Sequence, residues 1–598
     1  MAQNQNVAHI EELPIFCYYD QQRFKQFGSM DCANWYGIQV DSGKKKQALY
    51  PCMGRKHLTF LGENRLIFNE EPRAIYKTIN YFYVVDGTAV YAVDRFFNRV
   101  QIGEVTLGTS LWFAFLPVND VIYAILTDEH HAYVITETPG MVPTFGVITD
   151  TNLPVDPIFV ASFGNRFVIS SKNTPNFGLS RINLFSTAPD AGTLANCFTI
   201  NGSALFARAS GVIGQMTVLH TQLYILCNYT TDIWANISTQ INVAGVITEF
   251  PWKLNSSYNW DYGIADPDSL DTDFGRMVWL AQNANGLVAF MSSNGQQPEP
   301  ISSQAINVIL ENSAQQSGLS PFIEDIADGF LYQYENTIFY RVSAGIYKDY
   351  GVLDVTQNVS NANSIEYNFE TGKWGRVIEL NGERNRIQRH VYFANKHLVT
   401  VQGDPAIYEM AGNIYYNELR NTMQANSQAA DAFSRYPFRY ELVTQQIFLE
   451  DYSEFVDDYI EIDFVFGNQT PVKSDAPFPN TVFIVDETSD PESPLFLLSE
   501  DGRFIIQQGT NTGTGVDEIY NLYLNPHLEL YYSDDGGETF LSADLREFSQ
   551  LGQYRWRMRW YELASSRNRC YKLVGVSASP IVILGGVRNT MRISGGAN

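Results

Sequence analysis

The sequence predicts an all-β protein: a β-propeller of about six to eight blades, followed by a β-rich C-terminal region with an inserted subdomain. Short strands of alternating apolar residues recur along the chain, and polar turns join them. Aromatic residues make up 14% of the chain, with 35 Tyr and 38 Phe, and such rings suit half-buried sheet surfaces. Helical periodicity is scarce. These three observations together favour the propeller.

The first clear hairpin shows the repeating pattern. Tyr81–Val85 and Ala89–Val93 are apolar and aromatic segments, and Asp86-Gly87 between them is a strong turn signal. Comparable hairpins recur about every 40 to 60 residues as far as Glu409, a spacing that fits a blade of about four strands. A string of β-sandwiches has strands at similar spacing and is the alternative.

The composition divides the chain into three parts. Residues 1–60 form an N-terminal segment that we expect to pack with the C-terminal β region, 61–440 form the propeller, and 441–598 form the C-terminal β region. A weak helical pattern over Asn417–Phe433 marks the boundary after the propeller. Residues 467–525 are rich in Pro, Ser, Thr and Gly, which predicts a loop-rich subdomain inserted between two partner strands.

The charge of the chain is strongly acidic. There are 40 Lys and Arg against 65 Asp and Glu, so the net charge is −25. Binding of a polyanion over the whole surface needs a cationic field, and the charge therefore argues against a protein that reads nucleic acid. An acidic or neutral wall does suit a channel through which DNA slips without sticking.

Cysteine usage and hydropathy indicate where the chain is made. The six cysteines are scattered without a Cys-x-x-Cys pair, which favours buried thiols in a reducing compartment. The first nine residues lack the basic start and apolar stretch of a signal peptide. No run of 18 apolar residues occurs, so we expect no membrane insertion by this chain and folding in the cytoplasm.

The sequence offers no catalytic set. It contains no nucleophile elbow, no His-Glu-x-x-His and no phosphate-binding loop, and its eight histidines are dispersed apart from the pair His130-His131. We therefore predict no enzyme, no catalytic residues, no cofactor and no metal. Ser533–Phe540 fits the Asp-box hairpin of sialidase-like propellers, which is a folding device. The corresponding alternative function is a glycan-binding or glycan-cleaving propeller.

Two small groups of residues are candidate functional sites. Arg555, Arg557 and Arg559 alternate with apolar residues, so they share one face of a predicted strand. We predict that they pair with acidic groups across a subunit interface; a solvated face and a DNA-facing stripe are the alternatives.

The second group lies in the inserted subdomain. Gly509, Gly513 and Gly515 make a glycine-rich tip within the insertion. We predict that this tip is mobile and acts as a gate that faces the lumen of a channel or lies at its distal end.

Several segments, in this order, resemble one family of viral proteins. The segments are Asn34–Tyr36 with Leu49–Pro51, Gly164–Phe167, Gly211–Gly214 through Leu223–Leu226 to Thr231–Trp234, Tyr262–Ile264, Val278–Leu280, Gly295–Ile309, Tyr367–Trp374, and Leu530–Val587. In order and hydrophobic pattern they are similar to the packaged-DNA stabilisation proteins, the tail hub or nozzle subunits of short-tailed bacteriophages. Here Pro51 and Gly54 are separated by Cys52-Met53, which departs from the family's opening turn. The insertion has no counterpart in that pattern.

The resemblance implies a function and a set of partners. The chain would form a homo-oligomeric ring, a homohexamer, in the virion tail below the portal and the head-to-tail adaptor ring. It would continue the channel for double-stranded DNA, retain the packaged genome and anchor tail fibre or spike proteins. The resemblance implies no enzymatic activity. A receptor-binding tail fibre or spike is the remaining alternative.

Overall fold

The computed structural model describes most of the chain. The described residues are 9–20, 29–39, 47–60, 63–64, 66–118, 120–172, 174, 176–179, 197–198, 204–205, 212–236, 242–243, 246–247, 252–255, 259–286, 288–307, 310, 327–344, 363–420, 433–449, 451–466, 481–483, 506–508, 527–548 and 555–592. Nearly all regular structure among them is β, which confirms the predicted all-β fold class.

Seven short strands precede the first blade of the propeller in the chain. They are β1 (His9–Glu12), β2 (Asp31–Ala33), β3 (Trp35–Gln39), β4 (Gln47–Pro51), β5 (Gly54–His57), β6 (Thr59–Phe60) and β7 (Glu63–Asn64). The last two pair only with each other among the described residues. The first five belong to larger sheets formed by distant parts of the chain.

Six antiparallel meanders then follow one another in chain order, and each is one blade. The first five are separate sheets, whereas the sixth continues through β2 into a larger sheet. Blades 1 to 3 are β8 (Pro72–Lys77), β9 (Phe82–Asp86), β10 (Ala89–Val93), β11 (Arg99–Glu104); β12 (Trp112–Val118), β13 (Val121–Thr127), β14 (Ala132–Glu137), β15 (Thr144–Val147); and β16 (Pro157–Phe163), β17 (Arg166–Ser171), β18 (Asn176–Leu179), β19 (Ala204–Leu205).

Blades 4 to 6 continue the series and include a short strand pair and two helical turns. They are β20 (Ile213–Leu219), β21 (Gln222–Cys227), β22 (Thr231–Asn236), the pair β23 (Asn242–Val243) and β24 (Val246–Ile247), β25 (Trp252–Leu254); β26 (Gly263–Ile264), a 3₁₀ turn (Pro267–Ser269), β27 (Asp271–Asp273), β28 (Arg276–Gln282), β29 (Val288–Ser293), β30 (Glu299–Pro300); a helical turn at 304–307; and β31 (Ala327–Tyr334), β32 (Thr337–Ala344), β33 (Asn363–Asn368), β34 (Lys373–Arg376).

A strand from near the N-terminus completes the seventh blade. β35 (Ile387–Phe393), β36 (Lys396–Val401) and β37 (Asp404–Ala411) form a meander, and β5 pairs antiparallel with β37. Glycine at position 54 is required there, because a Cβ atom would lie 2.5 Å from the carbonyl oxygens of Ile414 and Tyr416. The predicted boundary at residue 60 therefore cuts through a propeller blade. The described residues form seven blades, a number within the predicted range.

Each blade packs on the next through its own apolar cluster. Val84 and Phe82 of blade 1 contact Val391 and Phe393 of blade 7, so the circle of blades is closed. Successive clusters join blades 1 and 2, 2 and 3, 3 and 4, 4 and 5, 5 and 6, and 6 and 7. The strands are buried on both faces because each blade lies between two others, and they accordingly read as apolar runs.

The C-terminal region is a sandwich of two sheets. Its strands are β38 (Tyr416–Arg420), β39 (Phe433–Val443), β40 (Phe455–Phe466), β43 (His527–Ser533), β44 (Leu541–Glu547), β45 (Arg555–Ser566), β46 (Cys570–Ser577) and β47 (Ile581–Arg592), with a separate pair β41 (Thr481–Phe483) and β42 (Ile506–Gln508). One sheet has the order β3-β4-β47-β40-β45, with β1 also on β47, and the other contains β2-β39-β46-β43-β44. The predicted helical pattern from Asn417 is wrong over 417–420, which is strand; residues 421–432 lie outside the described part.

A single large core fills the sandwich. Trp35, Tyr440, Phe464 and Trp560 are fully buried within it, and the rings of Trp35 and Tyr440 stack with centroids 4.7 Å apart. The N-terminal strands thus contribute core residues to a sheet that the C-terminal strands complete.

Polar side chains join the sandwich to the propeller. Asn34, in the left-handed conformation with φ 61°, donates through Nδ2 to the carbonyl oxygens of Ile378 (2.8 Å) and Arg439 (2.7 Å). Its Oδ1 accepts from the Ile378 amide at 3.0 Å. Beside it, Arg376 pairs with Glu441 at 3.2 Å. These bonds tie the end of blade 6 to the second sheet of the sandwich.

Candidate functional site

The structure brings the three predicted interface arginines together on one sheet face. β45 pairs with β40 in a register that sets Arg555 opposite Val465, Arg557 opposite Asp463 and Arg559 opposite Glu461. Side chains of residues two apart point to the same face of a strand, so the guanidinium groups form a row. We call these residues the arginine ladder. Within the described part of the chain, β45 is an edge strand of its sheet.

Two carboxylates of the same chain already lie against the three arginines of the ladder. Arg555 donates to both oxygens of Asp463, at 3.0 Å from Nε and 2.6 Å from Nη2. Arg559 donates from Nε to Glu461, while the Arg557 guanidinium lies 3.5 Å from the other oxygen of Glu461. Three cations therefore share two carboxylates.

The burial of the two partners is unequal. The arginine side chains are about half exposed, and 59% of the Arg557 side chain is accessible. The Asp463 and Glu461 side chains are about one-tenth exposed and lie beneath the guanidinium groups. The ladder therefore presents cationic groups outwards over carboxylates that face the sheet.

Other residues of this face were not identified as site residues from the sequence. Ile10 pairs with Asn589, Asn589 with Tyr459, and Tyr459 with Tyr561 across four adjacent strands. Cross-strand partners share a face, so this row lies beside the ladder. Tyr561 is 54% exposed and Ile10 is 63% exposed. The alternation of residues in β40 and β45 could have predicted that Tyr459 and Tyr561 lie on this face. The proximity of Ile10 could not be predicted, because it depends on tertiary structure.

The predicted gate residues lie outside the described part of the chain. Gly509, Gly513 and Gly515 follow β42, and the next described residue is His527. The segment containing them lies in the sequence between Phe466, the end of β40, and the start of β43. Its attachment points are thus on strands of the two facing sheets.

The Asp-box has the local structure that the motif requires. Asp535 accepts hydrogen bonds from the hydroxyl groups of Ser533 and Thr539 and from the backbone amides of Glu538 and Thr539, the latter each at 3.0 Å. These bonds keep the pKa of this carboxyl well below its usual value. Gly537 has a positive φ of 91°. All of these contacts are internal to the hairpin between β43 and β44. They stabilise the turn and present no catalytic geometry.

An ion pair joins blades 5 and 7 of the propeller. Arg389 of blade 7 lies 3.5 Å from Asp268 of blade 5, so the contact links two blades that are not consecutive. Nearby, burial and the charge of Asp273 raise the pKa of Asp271 to about 6, against the bond donated by the Leu331 amide at 2.7 Å. These groups are ion-paired or hydrogen-bonded, and none of them forms a nucleophile–base pair.

Two histidines distant from the noted His130-His131 pair meet in blade 7. Nε2 of His390 and Nδ1 of His397 are 2.9 Å apart, because the strands β35 and β36 pair at this level. Burial and the charge of Lys77 lower the pKa of His397 to about 4, so both rings are neutral at pH 7. Across the described residues, no group of three or more His, Cys, Asp and Glu side chains is arranged to hold a metal ion.

A cavity of about 170 Å³ lies where the N-terminal strands meet blade 6. Its walls include Cys32, Trp35, Glu366, Lys373 and Arg376. Arg376 is already bound by Asp31 and Glu441, and the Cys32 thiol donates to the Trp35 carbonyl oxygen at 3.4 Å.

The described helices include none that is long and apolar enough to cross a bilayer.

Comparison with known proteins leaves the family open. No protein-family model matches the chain, and no curated protein matches it. Among solved structures, the WD40 domain of Pan2 from Neurospora crassa is 9% identical, with a TM-score of 0.32, over 62% of this chain and 97% of that domain. A protein from Lactobacillus plantarum is 10% identical, with a TM-score of 0.30, over 64% and 99%.

A third solved structure covers more of the chain. An arabinoxylan arabinofuranohydrolase of glycoside hydrolase family 43 from Bacillus subtilis is 7% identical, with a TM-score of 0.21, over 94% of this chain and 96% of that protein.

Proposed function

We propose that this chain is a structural subunit of the tail hub or nozzle of a short-tailed bacteriophage, without enzymatic activity. Copies of the chain form a ring below the portal and adaptor, and the ring continues the DNA channel, retains the packaged genome and anchors tail fibre or spike proteins. The ordered resemblance to packaged-DNA stabilisation proteins supports this function.

The observation that carries the proposal is the way in which both ends of the chain build one sheet. β1, β3 and β4 from the N-terminal segment lie in the same sheet as β40, β45 and β47. The N-terminal strand β5 also closes the propeller on itself. A unit with its termini held in sheets and its two parts bonded together suits a load-bearing ring subunit.

The charge of the chain suits the same role. A net charge of −25 opposes adhesion of DNA to the wall of a channel and keeps unassembled copies soluble. The arginine ladder is a cationic exception on this surface, and in the proposed ring it belongs to a contact between subunits. Arginine and tyrosine are enriched in the centres of such contacts.

Electron microscopy tests the ring directly. Purified protein and virions imaged by electron microscopy are expected to show rings of this chain with a pore wide enough for a DNA duplex. A chain that is absent from purified virions, or that stays monomeric at every concentration and in virion extracts, would contradict the proposal. If no ring is observed and the protein binds or hydrolyses glycans, the glycan-directed alternative would be favoured instead.

The inserted segment supplies a second test. In the proposed hub it acts as a gate, because it interrupts two strands of the sandwich, β40 and β43, and carries the glycine-rich tip at 509–515. Replacement of residues 467–525 by a short Gly-Ser linker is expected to leave ring assembly intact while filled capsids lose their DNA. Capsids that retain DNA as the parent does would contradict the gate but not the ring.

A further inference from the structure

We propose that the cavity between the N-terminal strands and blade 6 is a binding site for a small aromatic molecule of one or two rings. Three parts of the chain bound the cavity: residues 16–18, the hairpin of β3 and β4, and the strands β33 and β34 of blade 6. The site lies within one copy of the chain, so it goes beyond the proposed ring and does not depend on it.

The volume of the cavity sets the size of the ligand. A cavity of about 150 Å³ lined by apolar side chains stays dry when it is empty and is large enough to bind benzene. Pockets for drug-sized molecules are larger, at about 300–1,000 Å³. The cavity in this protein has a volume of about 170 Å³ and therefore admits one ring or two fused rings, but not a longer molecule.

Aromatic side chains form much of the cavity wall. They are Phe16, Tyr18, Trp35, Tyr36 and Trp374. Trp35 is buried, and its ring nitrogen donates to the carbonyl oxygen of Ile581 at 2.8 Å. Trp374 is buried as well and donates to the carbonyl oxygen of Ile301 at 2.7 Å. Since these bonds hold both indole rings in place, a ligand ring meets a preformed surface on which aromatic rings pack favourably.

The polar groups of the inner wall are already engaged. Glu366 accepts a hydrogen bond from Nε of Arg341 at 2.7 Å. Asn368 donates through Nδ2 to the carbonyl oxygen of Gly37 at 2.9 Å. Burial raises the pKa of the Cys32 thiol, which is therefore neutral at pH 7. These groups offer water few further partners, so an apolar ring replaces water there at little cost.

The outer end of the cavity is polar. Gln39 and Gln47 line it, are exposed and are cross-strand partners on β3 and β4. Lys373 is also exposed, and its ammonium lies 4.0 Å from the centre of the Tyr18 ring. A ligand ring thus lies against the buried aromatic wall, while a polar substituent stays at the mouth beside these groups.

The glycine at position 37 keeps the cavity open. A Cβ atom there would have only the methyl group of Thr371 within 4 Å, at 3.9 Å. Gly37 and Thr371 both line the cavity, so a larger side chain at either position would occupy the space of the ligand. Gly37 is not among the residues with a positive φ, and other residues therefore fit its backbone.

Ligand-observed fluorine NMR tests the site in the full chain. The signal of 5-fluoroindole is expected to broaden when the protein is added, and competition by unlabelled indole should give a Kd of about 0.1–1 mM, as expected for a ligand of this size. Phenol should compete about ten times better than cyclohexanol, because only phenol packs as an aromatic ring on the wall. N-acetyltryptophan amide separates two sources of the ring. Binding as tight as that of indole would assign the ring to the side chain of a bound peptide, and weaker binding would assign it to a free molecule.

Two variants fill the cavity from opposite walls. Gly37→Val and Thr371→Leu should each weaken indole binding at least tenfold, and Gly37→Ala should have a smaller effect in the same direction. Ile79→Ala is the control, because it removes an apolar side chain of blade 1 that is 55% exposed and should leave the Kd unchanged. Circular dichroism confirms that each variant is folded, and the second filling variant keeps the test valid if the first does not fold.

The outcomes that contradict the site are distinct from those that concern the ring. A parent chain that does not broaden the signal, or an unchanged Kd in the folded filling variants, would overturn the site. Equal competition by phenol and cyclohexanol would overturn its assignment to aromatic molecules. Rings seen in virions together with any of these results would leave the proposed function standing, and a failure to form rings would leave the ligand site standing.

Discussion

The propeller is built from consecutive segments of the chain, whereas the sandwich is built from segments that are far apart in the sequence. Each of the first six blades is a consecutive segment, and its core residues come from that blade and its neighbours. The sandwich instead places β4 beside β47, with Leu49 opposite Ile583, and one core unites strands from both ends of the chain. Damage to a blade should therefore stay local, whereas damage to the sandwich should reach both termini.

The largest effect is expected from removal of a buried tryptophan, and the two regions should differ in how far the resulting loss of protection spreads. Trp560→Ala in the sandwich and Trp279→Ala in the propeller each remove a fully buried indole that donates to a carbonyl oxygen, that of Asp544 and of Gly263 respectively. Each should lower the free energy of unfolding by about 3–5 kcal/mol. Hydrogen exchange should rise in β1, β3, β4, β40 and β47 for the sandwich variant, and mainly in blades 4 and 5 for the propeller variant. If increased hydrogen exchange spread equally far in both variants, the proposed difference between the propeller and the sandwich would be wrong.

Acid should weaken the junction while it strengthens the propeller. Arg439 and Arg376 lower the pKa of Glu441 to about 2 from a usual 4.5, so its contribution is complete above about pH 5 and is lost as pH falls towards 2. The shift corresponds to about 3 kcal/mol. Asp271 has the opposite sign: its raised pKa of about 6 makes its contribution complete below about pH 4 and lost as pH rises through 6.

Urea unfolding between pH 7 and 2.5 measures how the free energy of unfolding changes with pH, and so tests the contributions of both Glu441 and Asp271. Glu441→Gln should flatten the acid limb of the stability profile, and Asp271→Asn should flatten the limb between pH 4 and 7. A parent protein whose stability falls steadily from pH 7 to 5 would contradict the assignment to Asp271.

Loss of Asn34 should uncouple the two regions. Asn34→Ala removes three hydrogen bonds at the junction and leaves buried polar groups of Ile378 and Arg439 without this partner, at a cost of about 2–3 kcal/mol. Calorimetry should then resolve separate transitions for propeller and sandwich. Asn34→Gly keeps the left-handed backbone available, so the difference between the two variants isolates the strain at φ 61°. A single unshifted transition would show that Asn34 does not couple them.

The smallest expected effect tests the closing strand. Gly54→Ala forces a methyl group against two carbonyl oxygens and should cost about 1–3 kcal/mol while raising hydrogen exchange in blade 7. Gly37→Ala is the matched control, because its Cβ would meet only a Thr371 methyl at 3.9 Å. Equal stability of the two variants would mean that β5 is dispensable for closure.

Local pattern explains what could be predicted from the sequence. The predicted turn lies at Gly87 and Thr88, with Gly87 at φ 57° and Asp86 paired with Ala89, because alternating strands and a turn signal are properties of adjacent residues. The shared face of Arg555, Arg557 and Arg559 also follows from period two alone. The number of blades could be determined only from the structure, because the hairpin spacing in the sequence is irregular.

Distant pairing explains what could not be predicted. Gly54–His57 is four residues long without alternation, and its partner β37 lies at the other end of the propeller. Tyr416–Arg420 lies in β38, where pairing with β39 and β5 overrides the local helical pattern. The intrachain carboxylates beneath the ladder likewise come from β40, about 90 residues away in sequence, and so no local pattern links them to it.

The closing strand has a consequence for synthesis of the chain. β5 leaves the ribosome early, but its partner β37 begins only at Asp404, and the partner of β1 and β4 begins at Ile581. At about 5–20 residues per second, the four-residue strand waits roughly 20–70 s for its partner. Throughout that time its open edge is exposed to other nascent chains on the same message. Translation speed across the blades should therefore govern the yield of soluble protein.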